Sequence, residues 1–421
     1  MANPVGTGPY RLKEWRRGQR IVLEANRGYR EETFPEAPAN ADAAIRAVAA
    51  AMKGKRLPQI GRVEISVIEE SSPQLLAFNS GALDYANVAA DLVANVLDPG
   101  SRLKASYTDR KVALHRVIRP SLNYAYFNME DPVVGGYTPD KVALRRAITM
   151  GFNVPDLIRV WWQEQAIAAT QPIPPNVAGH DPKLDVRAPY DVATARSLLD
   201  RFGYRDRDGD GWRDLPDGMP FTLSMGSTPT TRDRERDELW KRSMKDLGIR
   251  IDFVKQKFPD LLKMGRAGRL QMWPVGWITT YGEGDAFMQL LYSGNIGQSN
   301  YSRFRNDEYD DLYRRSKRIP DGPERTALYA RMAGIVAAYA PWELGAYTYE
   351  NTLVRPWVRG YVKHVSWEHP WKYHDLDVEA QRSAKSMRAA TSPADQFASR
   401  SARMALSAPM KVPSGLGCRG Q

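Results

Sequence analysis

The chain has 421 residues, 43% of them hydrophobic, with 60 Lys and Arg against 49 Asp and Glu for a formal charge of +11. That length can bury more than one core, and no run approaches the roughly 20 apolar residues of a membrane span, so the chain reads as not membrane-spanning. The basic residues alternate with acids, as in Arg232-Asp233-Arg234-Glu235-Arg236-Asp237; this is the pattern of a solvated face and argues for no nucleic-acid partner.

Met1 to Tyr10 is polar, holds Pro4, Gly6, Gly8 and Pro9, and lacks the charged, apolar, small order of a secretory signal. Residues Tyr10 to Trp15 and Arg20 to Glu24 alternate apolar and polar side chains around Arg17-Gly18, which predicts a hairpin with one buried face. Arg62 to Ile68 repeats the alternation, and Ser72 to Asn79 reads as a helix stopping at Gly81. Val112 to Ile118 and Asn123 to Asn128 read as strands broken by Arg119-Pro120-Ser121, where the chain is expected to pass from one lobe to another.

Thr138-Pro139 is a helix start, with Leu144, Ala147, Ile148 and Gly151 on one face. A second helix is expected from Asp191 to Gly203 and a third from Asp321 to Pro341. Phe221 to Met225, Ile249 to Val254 and Leu270 to Trp277 read as strands between them, giving α/β or α+β organisation without a short repeat. Val378 to Gln421, rich in Ala, Ser, Arg, Met and Pro, reads as a disordered tail. The single cysteine, Cys418, excludes an intrachain disulfide.

The sharpest local motif is the run Asp206 to Asp217, which puts Asp206, Asp208, Asp210, Asp214 and Asp217 at positions one, three, five, nine and twelve of a calcium loop, with Gly211 at the sixth. Asp replaces the longer Glu at the twelfth position and Pro216 stiffens the approach, so an Asp/Gly turn joining helix to strand stays open beside a structural calcium site. No other cofactor is expected. His364, His369 and His374 recur every five residues, a spacing that matches no zinc pattern. No phosphate loop or Gly-x-Ser-x-Gly motif is present, so catalysis has no motif behind it. Asn123, Tyr124, Tyr126, Asn128, Trp273, Trp277, Tyr281, Tyr347 and Tyr349 supply large faces with polar tips, suited either to a ligand pocket or to ordinary core packing.

Gly6-Thr7-Gly8-Pro9-Tyr10-Arg11-Leu12, Arg20 to Asn26, Leu75 to Asp84, Tyr126-Phe127-Asn128, Val142 to Ile148, Pro172-Ile173-Pro174-Pro175, Gly276-Trp277 and Leu353 to Tyr361 occur in an order that resembles the family 5 extracellular solute-binding proteins of ABC importers, the oligopeptide- and dipeptide-binding type. The resemblance implies an α/β, two-lobed periplasmic-binding-protein-like fold of the cluster C type, with a hinge. Lobe I would comprise residues 1–119 and 355–377, lobe II residues 120–354, and 378–421 a tail. In the family the Gly-Thr-Gly-Pro-Tyr signature lies well inside the chain, so the first lobe is expected to be incomplete at its N-terminus.

By the same resemblance the chain captures a peptide or other small-molecule ligand in the periplasm for an ABC permease, acts as a monomer and is no enzyme. The implied ligand-binding residues are Trp277, Tyr281, Phe258, Tyr126, Asn128 and Tyr347, with Thr280 as a polar contact. Peptide binders of the family carry an aspartate after the Gly-Trp pair to receive the ligand ammonium; Thr280 stands there, and Glu283 and Asp285 are the nearest substitutes. The rival readings are a remnant that cannot close on a ligand, a hydrolase using His115 or His180, and a nucleic-acid binder.

Overall fold

The structure is a computed structural model and describes residues 6–68, 70–363 and 370–391. The expected hairpin forms from strands Tyr10–Arg16 and Arg20–Ala25, turning through Gly18 at φ 68°, a conformation glycine adopts without a Cβ clash. Strand Arg62–Ser66 pairs with the second of these to complete a three-stranded antiparallel sheet. Helix Ser71–Ser80 stops at Gly81, which is left-handed at φ 85°. Its Phe78 is fully buried among Val88, Val96, Tyr107 and Leu353.

An eight-stranded sheet dominates the rest. Its main path runs Arg250–Lys255, Thr222–Ser227, Met272–Ile278, Ser121–Phe127, Trp342–Val354 and Tyr85–Val88, with Ala113–Ile118 and Ala166–Ala168 also paired to the long strand Trp342–Val354. That long strand changes partners along its length. Trp342 to Ala346 pair with strand Ser121–Phe127, Ala346 to Thr348 with Ala166–Ala168, and Tyr349 to Val354 with Ala113–Ile118. Two connections therefore cross side by side, one at Arg119-Pro120 and one at Thr348-Tyr349.

Strand Ser121–Phe127 is buried on both faces, and its alternation feeds two cores. Leu122, Tyr124 and Tyr126 join Trp273, Phe304 and Trp342 on one side, while Ala125 and Phe127 join Leu144, Ile148, Leu223 and Trp240 on the other. Helix Pro139–Gly151 begins after Thr138 with proline in its first turn, and helix Val192–Arg201 is capped by Asp191, whose carboxylate accepts the Thr194 N–H at 2.9 Å. Helix Pro323–Tyr339 follows Gly322 rather than an Asp321 cap; Asp321 instead pairs with Arg325 at 3.0 Å.

Two expectations need correction. Residues 232–237 lie in helix Thr231–Leu247, and helical periodicity turns Asp237 inward with Trp240, Met244 and Leu247. Asp237 is 3% exposed and accepts the Ser227 hydroxyl at 2.8 Å and the Lys255 ammonium, so this run is only partly a solvated face. The tail is helical over Val378–Thr391, where Asp377 caps the start by accepting the Ala380 N–H at 3.0 Å; residues 392–421 lie outside the described residues.

Candidate ligand-binding cleft

The two crossings form the floor of a cleft of about 680 Å³. Arg119, Ser121 and Asn123 come from one crossing, Thr348, Tyr349 and Asn351 from the other, and Gly276, Trp277 and Ile278 from the neighbouring strand. Gly276 has a steric reason: a Cβ there would lie 2.9 Å from Asn123 Oδ1. One wall holds Gln74, Tyr85, Asn87, Tyr361 and Trp371; the facing wall holds Trp162, Gln165 and Arg232.

Charge is distributed unevenly in this space. Glu350 is paired with Lys363 at 2.7 Å and lies 3.8 Å from Arg119. Arg116 stacks over Tyr349 at 3.6 Å from the ring centre and donates to Asn351 at 2.9 Å and to Gln165. Arg232 lies 4.7 Å and 5.5 Å from the ring centres of Trp161 and Trp162, donates to the Trp161 carbonyl at 3.2 Å, and receives the Trp161 indole N–H on its own carbonyl at 3.1 Å. Among the described residues no carboxylate pairs with Arg232. A stacked, pre-oriented guanidinium without a counter-ion suits a ligand carboxylate or carbonyl.

The cleft shares Asn123, Trp162 and Gly276 with an adjoining extension of about 200 Å³. Trp161, Trp240, Trp273, Phe152 and Phe258 contribute its aromatic walls, and Glu343 lines it from the long strand. Glu343 is 3% exposed, and burial pushes its carboxyl pKa up to about 8.

The residues drawn from the sequence divide accordingly. Trp277 lines the main cleft and Phe258 the extension. Thr280 and Tyr281 are exposed and belong to neither. Tyr126 is wholly buried against Trp273 and Tyr301. Asn128 is buried, donating to the Gly268 carbonyl and accepting the Glu130 N–H. Tyr347 is buried with its hydroxyl donating to the Gln171 carbonyl at 2.6 Å. Tyr126 and Tyr347 pack into the core, while Asn128, just past the strand end, is buried in a polar turn. Glu283 and Asp285 are paired with Arg325 and Lys317. Sequence reading missed Trp161, Trp162, Arg232 and Glu343; the adjacent tryptophans were the available signal.

In the acidic loop, Asp206, Asp208 and Asp210 bring one oxygen each within 4.8 Å of one another. Asp214 and Asp217 are outside this group. Asp214 is buried and accepts the Arg207 N–H at 3.0 Å, and Asp217 accepts the Met219 N–H at 3.0 Å. The spacing of five carboxylates therefore converges as three. His364 and His369 lie outside the described residues, and His374 is buried against Tyr361 and Tyr85. His115 stacks on Tyr361 and His180 faces the Ile173 carbonyl at 2.8 Å; among the described residues neither has a nucleophile as a hydrogen-bond partner. No described helix is long and apolar enough to cross a membrane.

Comparison with known proteins bears on the fold and the family. The heme-binding protein A of Haemophilus influenzae is 26% identical over 366 residues, covering 86% of this chain and 58% of that protein. The dipeptide-binding protein of Escherichia coli is 23% identical over 370 residues, covering 86% of this chain and 59% of the other; the chain thus spans less than two thirds of these relatives. The structure of HbpA2 from Haemophilus parasuis superposes with a TM-score of 0.67 at 20% identity, covering 89% of this chain and 65% of that one, and shares the two-lobed α/β architecture. Residues 1–299 match the model described as bacterial extracellular solute-binding proteins, family 5 middle. The chain belongs to the family 5 bacterial extracellular solute-binding proteins.

Proposed function

We propose that this chain is the solute-capturing component of an ABC importer, taking a peptide or other small solute between two lobes and presenting it to a permease in the periplasm. Lobe I would comprise the residues before Pro120 together with those after Thr348, and lobe II the residues between. The carrying observation is the cleft of about 680 Å³ whose opposite walls come from Tyr85 to Ala90 and from Trp162, Gln165 and Arg232, meeting at the two adjacent crossings. Such a geometry couples occupancy to closure, because a guest touching both walls stabilises the approach of one to the other.

The relatives named for heme and for dipeptides differ in what they bind, so the guest is to be read from this cleft. Its aromatic walls suit a body with apolar surface, and Arg232 suits an anionic or carbonyl end. The chemistry is binding alone: no step of bond making is assigned to any residue.

A thermal-shift screen with di- and tripeptides, glutathione and heme tests this. Binding to the native state raises its apparent stability, by about 2.7 kcal/mol at a hundred times Kd. At least one solute is expected to raise Tm in a saturable way, with the shift reduced in W277A. Turnover of any of these solutes, or no shift from all of them, would contradict the proposal.

A further inference from the structure

Glu343 is an unusual group for the middle of a β-sheet. It sits opposite Ala125 in the ladder, just before an irregularity at Gly345, where the register shifts between Leu344 and Ala346. Bulges of this kind re-aim side chains beside functional sites. A Cβ on residue 345 would stand 2.9 Å from the Asn123 carbonyl oxygen and 3.8 Å from Glu343 Oε2, so glycine leaves room on the side toward which the carboxylate leans. Among the described residues no cation lies within ion-pair distance of it.

Among the described residues the surrounding charges make no ion pair with Glu343. Asp233 and Arg236, on helix Thr231–Leu247, pair with each other at 3.1 Å. On the other side of Glu343 a second cavity is lined by Arg146, Asp185 and Arg187, of which the last two pair at 3.0 Å. Helix Pro323–Tyr339 contributes only apolar residues there, among them Val336 and Ala337. None of these charges contributes to the proton affinity of Glu343, which burial raises and only the Ala125 backbone lowers.

A buried carboxylate without a counter-ion is costly, and it is retained where a partner arrives from outside. Here it lines the aromatic-walled extension that adjoins the cleft. Phe152 and Trp240 stack at 3.8 Å, and Phe258 and Trp273 stand 5.7 Å apart. Aromatic faces attract cations through their quadrupole, most strongly where water is excluded. The other acids close in sequence to Trp277, Glu283 and Asp285, are held by Arg325 and Lys317. We infer that Glu343 is the counter-ion for a cationic group of the captured solute, an ammonium or guanidinium that enters the extension past Gly276 and Trp162.

This rests on the cleft being the capture site and names the charge its guest carries. It also couples capture to proton release. With a pKa near 8 in the empty cleft, Glu343 is mostly protonated at pH 7. A cation drawn against it favours the carboxylate, so the proton passes to the buffer. Affinity for the cationic guest then rises with pH, by up to about tenfold per unit below the free-state pKa.

The test is calorimetric titration of the full chain and of E343Q at pH 7 with four probes: Ala-Ala-Ala, acetyl-Ala-Lys-amide, acetyl-Ala-Arg-amide and the neutral acetyl-Ala-Ala-amide. Wild type is expected to bind one or more cationic probes at least tenfold tighter than the neutral one. Comparing buffers of different ionisation heat is expected to reveal close to one proton released per probe. E343Q is expected to lose tenfold or more for the cationic probe, release no proton and keep its affinity for the neutral probe. Ala-Ala-Ala reports a terminal ammonium, and the two capped peptides a side-chain cation. E343Q is expected to be at least as stable as wild type at pH 8, since an amide needs no proton there, which separates lost binding from lost fold. Equal binding of a cationic probe by both proteins, or binding without proton release, overturns the assignment of Glu343. If the neutral probe binds as tightly as the charged ones and W277A abolishes it, Glu343 is overturned while the cleft stands. If no probe binds wild type, the assignment of Glu343 falls, and the cleft falls with it only if the wider solute screen also gives no shift.

Discussion

Ser121 and Thr348 hold their hydroxyls 3.2 Å apart at the place where both crossing strands change partners. The Arg119 N–H donates to the Thr348 carbonyl at 2.8 Å beside them. Both residues are largely buried at the cleft floor. T348V leaves the Ser121 hydroxyl unpaired and is expected to cost roughly 1–2 kcal/mol, whereas T348S restores it. Urea unfolding of both single mutants and the S121A/T348V double mutant checks this. The double is expected to cost less than the sum of the singles, and strict additivity would mean the pair does not interact.

Arg232 is held by two tryptophan rings and by hydrogen bonds exchanged with Trp161, while its charge stays unmatched. R232A is expected to weaken capture of a carboxylate-bearing solute by tenfold or more. R232K is expected to recover only part of this, since an ammonium lacks the planar fork that stacks and donates in pairs. Fluorescence titration of the wall tryptophans measures it, and full recovery by lysine would reduce the role of Arg232 to charge alone.

His374 is 2% exposed, and burial lowers its pKa to about 4. It is neutral in the folded chain down to that pH, while the unfolded chain binds a proton near 6.5. The unfolded state therefore holds more protons between those values, and stability falls as pH drops through this window. Between pH 6.5 and pH 5 the loss is about 1.6 kcal/mol. H374Q is expected to flatten that slope in urea titrations at several pH values. An unchanged slope would show that other groups govern the acid response.

The acidic loop closes on its own amides. Asp206 accepts the Gly209 and Gly211 N–H groups at 2.7 and 2.9 Å, and Asp210 accepts the Trp212 N–H while pairing with Arg250. These hydrogen bonds brace the loop, and one of its charges is matched by Arg250. D206A is expected to cost about 1–2 kcal/mol through the two lost acceptors. Calcium at 1 mM and EDTA are each expected to leave Tm unchanged within about 1 °C. A calcium-dependent rise in Tm, lost in D208N, would restore the ion site.

The local elements were legible where turn chemistry marked them. Gly18, Gly81, Thr138-Pro139 and Asp191 fixed a hairpin, a helix end and two helix starts within a residue or two. The family and its two-lobed fold were legible because many short motifs fall in order along the chain. The cleft was less so. Tyr126 and Tyr347 have the side chains of a binding pocket, yet strands buried on both faces turn them into a core that periodicity alone does not distinguish from a cavity. Trp161, Trp162 and Arg232 come together from segments distant in sequence, and nothing local announces that contact. The long strand was missed because Glu343 and Gly345 break its apolar run, the same residues that line the extension.

The central claim is that one guest touches both walls of the cleft, and hydrogen exchange with and without a saturating solute from the binding screen measures it directly. Protection is expected in two separate segments, Tyr85 to Ala90 on one wall and Trp161 to Gln165 on the other. Protection confined to one wall, or absent from both while the solute is bound, would contradict it.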